Sequence, residues 1–262
     1  MSREHSTGDQ HFGVSSPPSG RDIDAKAVAA GPVALVIFDY GGVISERMLD
    51  GLAQFEVRMD YPTGSVHQLL FGETPPGNDG DPVDGAFDGA PEVHDFHLLE
   101  TGDLGFHQYL EGVIRRAPEH LGHELEPHAF MEFMQATGVR VQWPIVHEIR
   151  RLRGSGVPLA LLTNNVKEFG DAWRSSFPVD DLFEIVVDSS EVGMRKPDPR
   201  IYQLTCERAG VAAEDSVFLD DNRDNVAAAR ALGIETVHVG NDPIAVITEL
   251  GEILERRGVR TR

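Results

Sequence analysis

The segment FDYGGVI, residues 38–44, holds an aspartate that could take part directly in chemistry. Asp39 follows an apolar run and precedes two glycines, so its carboxylate is expected at a strand end, beside backbone that a ligand can approach closely. Such a carboxylate could attack an electrophilic centre or bind a cation. The residue two positions later is Gly41, which has no side chain that could carry a proton. Asp39 is therefore either a nucleophile without its usual acid–base partner or a residue that starts a turn.

Polar residues follow three other apolar runs. They are Thr163, Asn164 and Asn165 after one run, Lys196 in the segment GMRKPDP, and Asp220 and Asp221 after another. Taken singly, each residue has a structural explanation as a strand-end cap, a turn residue or a surface charge. Taken together at one sheet edge, the carboxylates would repel one another unless a cation lay between them. The set therefore predicts a site for a divalent metal and a phosphate group.

Five short runs rich in aliphatic and β-branched residues are predicted to be the buried strands that position these side chains. The predicted strands span residues 33–38, 158–163, 184–188, 216–220 and 235–239. Helical patterns follow the last four strands, at residues 166–177, 199–209, 224–232 and 243–257. Strands and helices that alternate at this spacing predict an α/β fold with a Rossmann-like parallel sheet.

Between the first two predicted strands lies a long stretch with helical patterns and no strand. The helical patterns cover residues 48–60, 66–71, 106–116 and 127–136. Residues 72–92, rich in Gly, Pro and acidic side chains, predict a mobile loop. The predicted domains are a disordered leader at 1–31, an α/β core at 32–45 and 139–262, and an inserted α-helical cap at 46–138.

Composition argues against several classes of protein. The chain has 262 residues and a formal net charge of −20, which disfavours nucleic acid or an anionic membrane as the main partner. No apolar stretch approaches the ~20 residues that a membrane-spanning helix needs. The single cysteine, Cys206, excludes an intrachain disulfide and fits a reducing compartment. We therefore expect a cytoplasmic protein.

Four segments resemble, in order, the motifs of the haloacid dehalogenase (HAD) superfamily. They are FDYGGVI, LLTNN, GMRKPDPRIY and FLDDNRDN. The likeness extends from Val33 to about Gly240 and is weaker in the helical insertion. It is closest to the subgroup with a helical cap after the first strand, which includes the phosphatase domain of soluble epoxide hydrolases and small glucose-1-phosphate phosphatases. One such motif is weak, but four in order at strand ends are specific.

The resemblance implies a role for each matching residue. Asp39 would attack phosphorus and form an aspartyl phosphate, while Lys196 would neutralise the phosphate and keep Asp39 ionised. The implied phosphate-binding residues are Gly41, Gly42, Thr163, Asn164, Asn165 and Lys196. The implied Mg²⁺ ligands are Asp39, Asp220, Asp221 and the Gly41 carbonyl, with Asn225 supporting the acidic pair. These roles suit the chemistry, because Mg²⁺ prefers oxygen ligands and phosphoryl transfer gains from charge neutralisation and positioning.

Gly41 departs from the pattern of most phosphatases in this family. They carry an aspartate that protonates the leaving oxygen and then activates water, and glycine can do neither. General acid–base help is worth about 10²–10⁴-fold, so its loss slows an enzyme without silencing it. Some phosphatases of the subgroup also resemble this chain in having glycine here.

The sequence therefore predicts a Mg²⁺-dependent phosphatase that acts on a small phosphomonoester, a phosphorylated metabolite. Two alternatives stay open. A metal-independent dehalogenase would use Asp39 to attack carbon, but it would have little reason to keep the pair Asp220 and Asp221. A catalytically weak binding or regulatory protein with the same fold would account for Gly41.

Overall fold

The computed structural model describes residues 33–47, 49–72, 94–136 and 140–259. The predicted leader at 1–31 and nearly all of the predicted loop at 72–92 lie outside these residues, so both remain predictions. Within the described ranges, no helix has the length and apolar character needed to cross a membrane.

A five-stranded parallel sheet forms the centre of the described chain. The strands are β1 Leu35–Phe38, β2 Leu159–Thr163, β3 Ile185–Asp188, β4 Ser216–Asp220 and β5 Glu235–His238. Their order across the sheet is β3-β2-β1-β4-β5, and every neighbouring pair is parallel. Each strand lies within one of the five predicted runs. The predicted α/β fold is confirmed.

Helices precede and follow these strands along the chain. Those between β1 and β2 that form the insertion are α1 Leu49–Met59, α2 Ser65–Phe71, α3 Asp95–Glu100, α4 Phe106–Leu121 and α5 Pro127–Ala136. The remaining helices are α6 Trp143–Gly154, α7 Gly170–Arg174, α8 Val179–Leu182, α9 Ser189–Val192, α10 Pro199–Ala209, α11 Arg223–Ala231 and α12 Pro243–Arg256. The parallel strands are thus joined by helical crossovers, as such a sheet requires.

The prediction of one continuous helix at residues 166–177 is wrong. The structure has a 3₁₀ turn, Lys167–Phe169, followed by the five-residue helix α7. Glycine is a poor helix former, and Gly170 stands where the two segments meet. Helices α3, α6, α8 and α9 lie outside the predicted patterns. The buried residues of α6 include Ile145, Ile149 and Leu152, whose spacing is helical, so this signal was present in the sequence.

Alternating residues of the strands pack into hydrophobic clusters on opposite faces of the sheet. In β1, Val36 and Phe38 belong to one cluster, which contains residues of α6 and α12. Leu35 and Ile37 belong to the other, which contains residues of α10 and α11. Both faces of the sheet are therefore covered, which explains why the central strands β1 and β2 are almost entirely apolar. Cys206 is buried in the second cluster, as a small core residue.

The helices of the insertion pack around a hydrophobic cluster of their own. This cluster is rich in aromatic residues, among them Phe55, Tyr109 and Phe130. It also includes Val166, which follows β2 in the chain, so the insertion contacts the loop at the end of that strand. The two chain segments that join the insertion to the sheet lie side by side. Glu46 N donates to Arg140 O at 2.7 Å, and Gln142 N donates to Ile44 O at 2.7 Å.

Candidate active site

Asp39 is buried immediately beyond β1, the central strand of the sheet. Its backbone N–H donates to the carbonyl of Leu219 in β4 at 2.9 Å, which extends the ladder past the last strand residue. The N–H of Tyr40 donates to Asp39 Oδ1 at 2.7 Å. Because Tyr40 stacks on Phe177 and hydrogen-bonds Ser176, the turn after Asp39 is anchored in the core. The carboxylate is thus held at the carboxyl edge of the sheet, where parallel sheets bind ligands.

Lys196 bridges two carboxylates from neighbouring strand ends. Its Nζ lies 2.7 Å from Asp39 Oδ1 and 2.7 Å from Asp220 Oδ2. The side chain is 1% exposed, so this ammonium has left bulk water. Such a buried cation needs opposite charges beside it, and the two aspartates supply them. The predicted neighbours Asp39, Lys196 and Asp220 are therefore in direct contact, although the lysine lies 157 residues from the first and 24 from the second.

Both carboxylate oxygens of Asp220 accept hydrogen bonds from protein donors. Its Oδ1 accepts from the N–H of Asn222 at 2.8 Å and from Asn225 Nδ2 at 3.1 Å. Its Oδ2 accepts from Lys196 Nζ and, at 3.2 Å, from Asn225 Nδ2. The sequence predicted that Asn225 supports the pair of acids, and the structure puts its amide on the first of them. Asp220 therefore works mainly as a fixed anion that holds Lys196 in place.

Asp221 takes a different partner, Arg47, which the sequence analysis did not single out. Arg47 Nε donates to Asp221 Oδ2 at 2.8 Å, and Arg47 Nη2 donates to the carbonyl of Val239 at 2.7 Å. Arg47 stands 174 residues before Asp221, at the beginning of the insertion. No local motif connects two residues so far apart in sequence, so only the fold reveals their contact.

The two glycines after Asp39 occupy different surroundings. A Cβ added to Gly41 would have no neighbouring atom within 4 Å. A Cβ added to Gly42 would lie 2.2 Å from Asp221 Oδ2, and the φ of Gly42 is +73°. Glycine is therefore required at position 42 for two reasons, the left-handed backbone and the approach of the carboxylate. At position 41 neither reason applies.

The residues after β2 lie against the loop that carries Lys196. Asn164 Oδ1 accepts from the N–H of Lys196 at 2.8 Å, and Asn164 Nδ2 donates to the carbonyl of Lys196 at 3.0 Å. Thr163 is buried at the end of β2, 1% exposed. The N–H of Asn165 donates to Ser189 Oγ at 3.0 Å, so this amide is already engaged. Among the described residues, the buried Asn165 Nδ2 has no hydrogen-bond partner.

The pKa values of the site are shifted because three buried or half-buried carboxyl groups lie near one buried lysine. Burial raises the pKa of Asp39 well above its usual value, and the nearby Asp220 and Asp221 add to this, while Lys196 opposes it. Burial and Asp220 also raise the pKa of Asp221, against the effect of Arg47. Burial alone would lower the pKa of Lys196, but the Asp220 and Asp39 carboxylates raise it. The lysine therefore stays charged, and an additional cation would favour the ionised carboxylates.

The donor set suits a hard divalent cation. Asp39, Asp220 and Asp221 each offer a carboxylate oxygen, and these oxygens lie within 4.8 Å of one another. Carboxylates gathered this closely would hold such an ion, because Mg²⁺ is usually bound through one or two carboxylates. The ligand atoms of these three residues are oxygens, which matches the preference of Mg²⁺.

Comparisons with known proteins agree with this fold. The chain is 28% identical over 221 residues to mouse acyl-CoA dehydrogenase family member 10. The aligned region covers 84% of this chain and 19% of that protein. It is 32% identical over 123 residues to a sesquiterpene phosphatase of Aspergillus oryzae, covering 47% of this chain and 62% of the relative. The chain thus spans less than two thirds of each of these curated relatives.

Solved structures match over most of the chain. A HAD family enzyme from Bacteroides thetaiotaomicron, crystallised with magnesium and inorganic phosphate, matches with a TM-score of 0.54 and 20% identity, covering 80% of this chain and 97% of that one. An L-2-haloacid dehalogenase matches with a TM-score of 0.58 and 19% identity, covering 86% of this chain and 99% of that one. At these identities the likeness concerns the fold.

The family profile of haloacid dehalogenase-like hydrolases matches residues 33–233. This range begins before β1 and extends past α11, so it includes all the strand-end residues described above. The chain therefore belongs to the family of haloacid dehalogenase-like hydrolases.

Proposed function

We propose that this hydrolase is a Mg²⁺-dependent phosphatase that cleaves a small phosphomonoester. The observation that carries the proposal is the contact of Lys196 Nζ with both Asp39 and Asp220 at 2.7 Å, with Asp221 close beside them. A buried ammonium next to a carboxylate nucleophile can neutralise a phosphate dianion as it approaches. The sesquiterpene phosphatase among the relatives supports this reaction class.

In this proposal Asp39 is the nucleophile and its free oxygen attacks phosphorus in line with the leaving oxygen. The bond from phosphorus to the leaving oxygen breaks as the bond to Asp39 forms, which gives an aspartyl phosphate. Lys196 keeps Asp39 ionised and binds a phosphate oxygen. Thr163 and the N–H of Asn164 bind others, while the Asn164 side chain keeps the loop of Lys196 in register. Water then hydrolyses the intermediate.

A bound Mg²⁺ would neutralise the charge of the phosphate and orient it. Asp39 and Asp221 are the favoured side-chain ligands, together with the Gly41 carbonyl. Both oxygens of Asp220 already accept hydrogen bonds from protein donors, so Asp220 is assigned to holding Lys196 and to the outer part of the site. The Mg²⁺ and phosphate in the related Bacteroides enzyme support the choice of cofactor.

The helices of the insertion, α1 to α5, are proposed to be the cap that covers the substrate. Their cluster includes Val166, directly after the residues assigned to phosphate binding. The leaving group of the substrate would then lie between the sheet edge and these helices. A substrate of limited size follows, because the cap contacts the strand ends on this side.

The proposal is tested by replacing the nucleophile and by removing the metal. We expect Asp39→Asn to lower the hydrolysis of p-nitrophenyl phosphate by about 10³-fold or more, since a carboxamide cannot form the intermediate. Excess chelator should abolish turnover, and added Mg²⁺ should restore it. Asp181→Asn, which changes an exposed aspartate of α8, is the matched control and should keep full activity.

The same assay separates the phosphatase from its main rival. The dehalogenase among the related structures keeps the rival reaction open. Halide release from a 2-haloacid in the presence of chelator, with no phosphate release from any ester, would replace the proposal with a dehalogenase. Full activity of Asp39→Asn would refute both reactions.

A further inference from the structure

Glu100 connects the helical insertion to the sheet edge through both its side chain and its backbone. It is the last residue of α3 and is buried, with 6% of its surface exposed. Its Oε2 accepts from Arg195 Nε at 2.6 Å, and its carbonyl accepts from Ser189 Oγ at 2.6 Å. Arg195 and Ser189 both belong to the segment after β3, so one cap residue is held twice by the core.

The partner of the Glu100 side chain, Arg195, is the neighbour of Lys196 in the chain. Arg195 precedes Lys196 in the chain, so the two cations share a peptide bond but face different acids. Arg195 pairs with Glu100, while Lys196 pairs with Asp39. The Lys196 backbone is also fixed by both polar atoms of the Asn164 side chain. A shift of Arg195 would therefore be transmitted to the lysine and to Asn164.

The backbone contact leads to the residues after β2. Ser189 is fully buried, and its Oγ donates to the carbonyl of Glu100 while accepting from the N–H of Asn165. The hydroxyl donates mainly to Glu100, at 2.6 Å, with the Asn165 carbonyl as a second, longer acceptor at 3.4 Å, so one side chain contacts both the insertion and the segment after β2. Loss of the Glu100 contact would leave the Asn165 carbonyl as the acceptor of this hydroxyl and would change the hydrogen bonds of the segment after β2.

We propose that Glu100 is a positioning residue, through which docking of helix α3 holds the segments of Asn164 and Lys196 in the arrangement that binds phosphate. The inference rests on the proposed function and adds a role for the cap in building the phosphate site itself. Replacing a buried ion pair by apolar residues often leaves stability unchanged, so stability alone gives little reason for such a pair. A role in fixing one arrangement of the two loops gives that reason.

Inhibition by inorganic phosphate measures this coupling. We expect Glu100→Gln and Arg195→Met each to weaken phosphate inhibition about 5- to 50-fold and to raise the KM for p-nitrophenyl phosphate by a similar factor. The double variant should resemble either single variant, because both remove one interaction. Arg195→Lys, which keeps the charge, should recover part of the loss. The matched control is Glu191→Gln, which breaks the exposed Arg174–Glu191 pair of the core and should change neither constant.

Amide hydrogen exchange gives a readout that does not depend on activity. In Glu100→Gln we expect faster exchange in α3 and also in residues 161–165 and 193–198, with the global unfolding temperature measured alongside. Faster exchange confined to α3, with unchanged phosphate inhibition, would overturn the inference. If the wild-type chain hydrolyses no phosphate ester but all three segments still respond together, the proposed function fails while the coupling stands. If Glu100→Gln does not fold, Ser189→Ala provides the same test from the core side.

Discussion

The strand-end site and the helical insertion both bury carboxylates, but they surround them with different groups. At the sheet edge Asp39 and Asp220 contact a single buried ammonium, that of Lys196. In the insertion Glu56 is 3% exposed and accepts from two backbone N–H groups, those of Gly64 and Val66, at 2.7 and 2.8 Å. The first arrangement concentrates charge where a ligand can enter. The second satisfies the N-terminus of α2, where a negative charge is stabilising. Burial of an acid therefore indicates a reactive site only when other charges converge on it.

The largest expected effect follows from removing the cation of the sheet edge. In Lys196→Met the two carboxylates lose their common partner, and the charge that holds down the pKa of Asp39 is gone. We expect the kcat/KM for p-nitrophenyl phosphate to fall by about 10³-fold, the range found when a transition-state donor is lost. Steady-state kinetics with circular dichroism as a folding check would measure it. Wild-type kinetics in this variant would show that Lys196 is not part of the phosphate site.

A second contrast lies within the site, between its two adjacent glycines. We expect Gly42→Ala to lower kcat/KM about 10²-fold, because the new methyl group displaces the Asp221 carboxylate and a displacement of about 1 Å is enough for such a loss. Gly41→Ala is the matched control and should be nearly neutral, since its added Cβ meets no atom within 4 Å. Mg²⁺ titration of both variants would locate the defect. Equal effects at the two positions would contradict the geometry described for Asp221.

A third prediction uses the open space at position 41 to supply the missing acid. Gly41→Asp meets no steric obstacle at its Cβ, and we expect it to raise turnover of alkyl phosphates on the order of tenfold, below the 10²–10⁴ that a fully adapted acid gives. Aryl phosphates should gain less, because their leaving oxygens need no proton. The ratio of the two gains is the measurement. An equal change for both ester classes would mean that glycine is not a missing acid, and a substitute acid would become the better explanation.

The smallest effect on catalysis is expected in the insertion. Glu56→Gln keeps the shape of the side chain but removes the charge from its hydrogen bonds to Gly64 and Val66. The expected loss is about 1–3 kcal/mol in the free energy of unfolding, measured by urea denaturation. Turnover of p-nitrophenyl phosphate should stay within about twofold of wild type. A large loss of turnover at unchanged stability would place Glu56 in the chemistry and remove the contrast between the two regions.

The sequence was sufficient to predict the features that depend on local residue patterns, such as the strands. All five strands lie within the predicted runs, because the strands of a parallel sheet covered on both faces are rich in aliphatic and β-branched residues. The acids and Lys196 could be grouped because parallel strands bring their carboxyl ends to one edge. Helix α3 could not be predicted from periodicity, since six residues are too few to show a helical repeat. Its N-cap is also an uncommon one, because His94 Nδ1 accepts from the N–H of Phe96.

The residues that sequence reasoning missed contact partners that are far away in the chain. Arg47 reaches Asp221 across 174 residues, and Glu100 reaches Arg195 across 95. Neither arginine lies in a pattern that distinguishes it from a surface charge. Arg195 stands beside Lys196 in the GMRKPDP segment, which marks the neighbourhood but not the partner. Such pairs are set by how the insertion packs on the core, and single-sequence periodicity carries no information about that packing.

The two segments that lead into and out of the insertion lie side by side. This arrangement affects how the length of the insertion can vary. Ser45 and Val141 form an isolated antiparallel bridge, so the chain leaves the sheet and returns to it at one place. Closing a loop between ends that already touch depends only weakly on the length of that loop. The chain between the two residues can therefore be shortened or lengthened while the strand ends keep their register, provided that Arg47 and Glu100 keep their contacts with the core. In evolution, and equally in protein engineering, the insertion can change in size while the residues that contact the core stay the same.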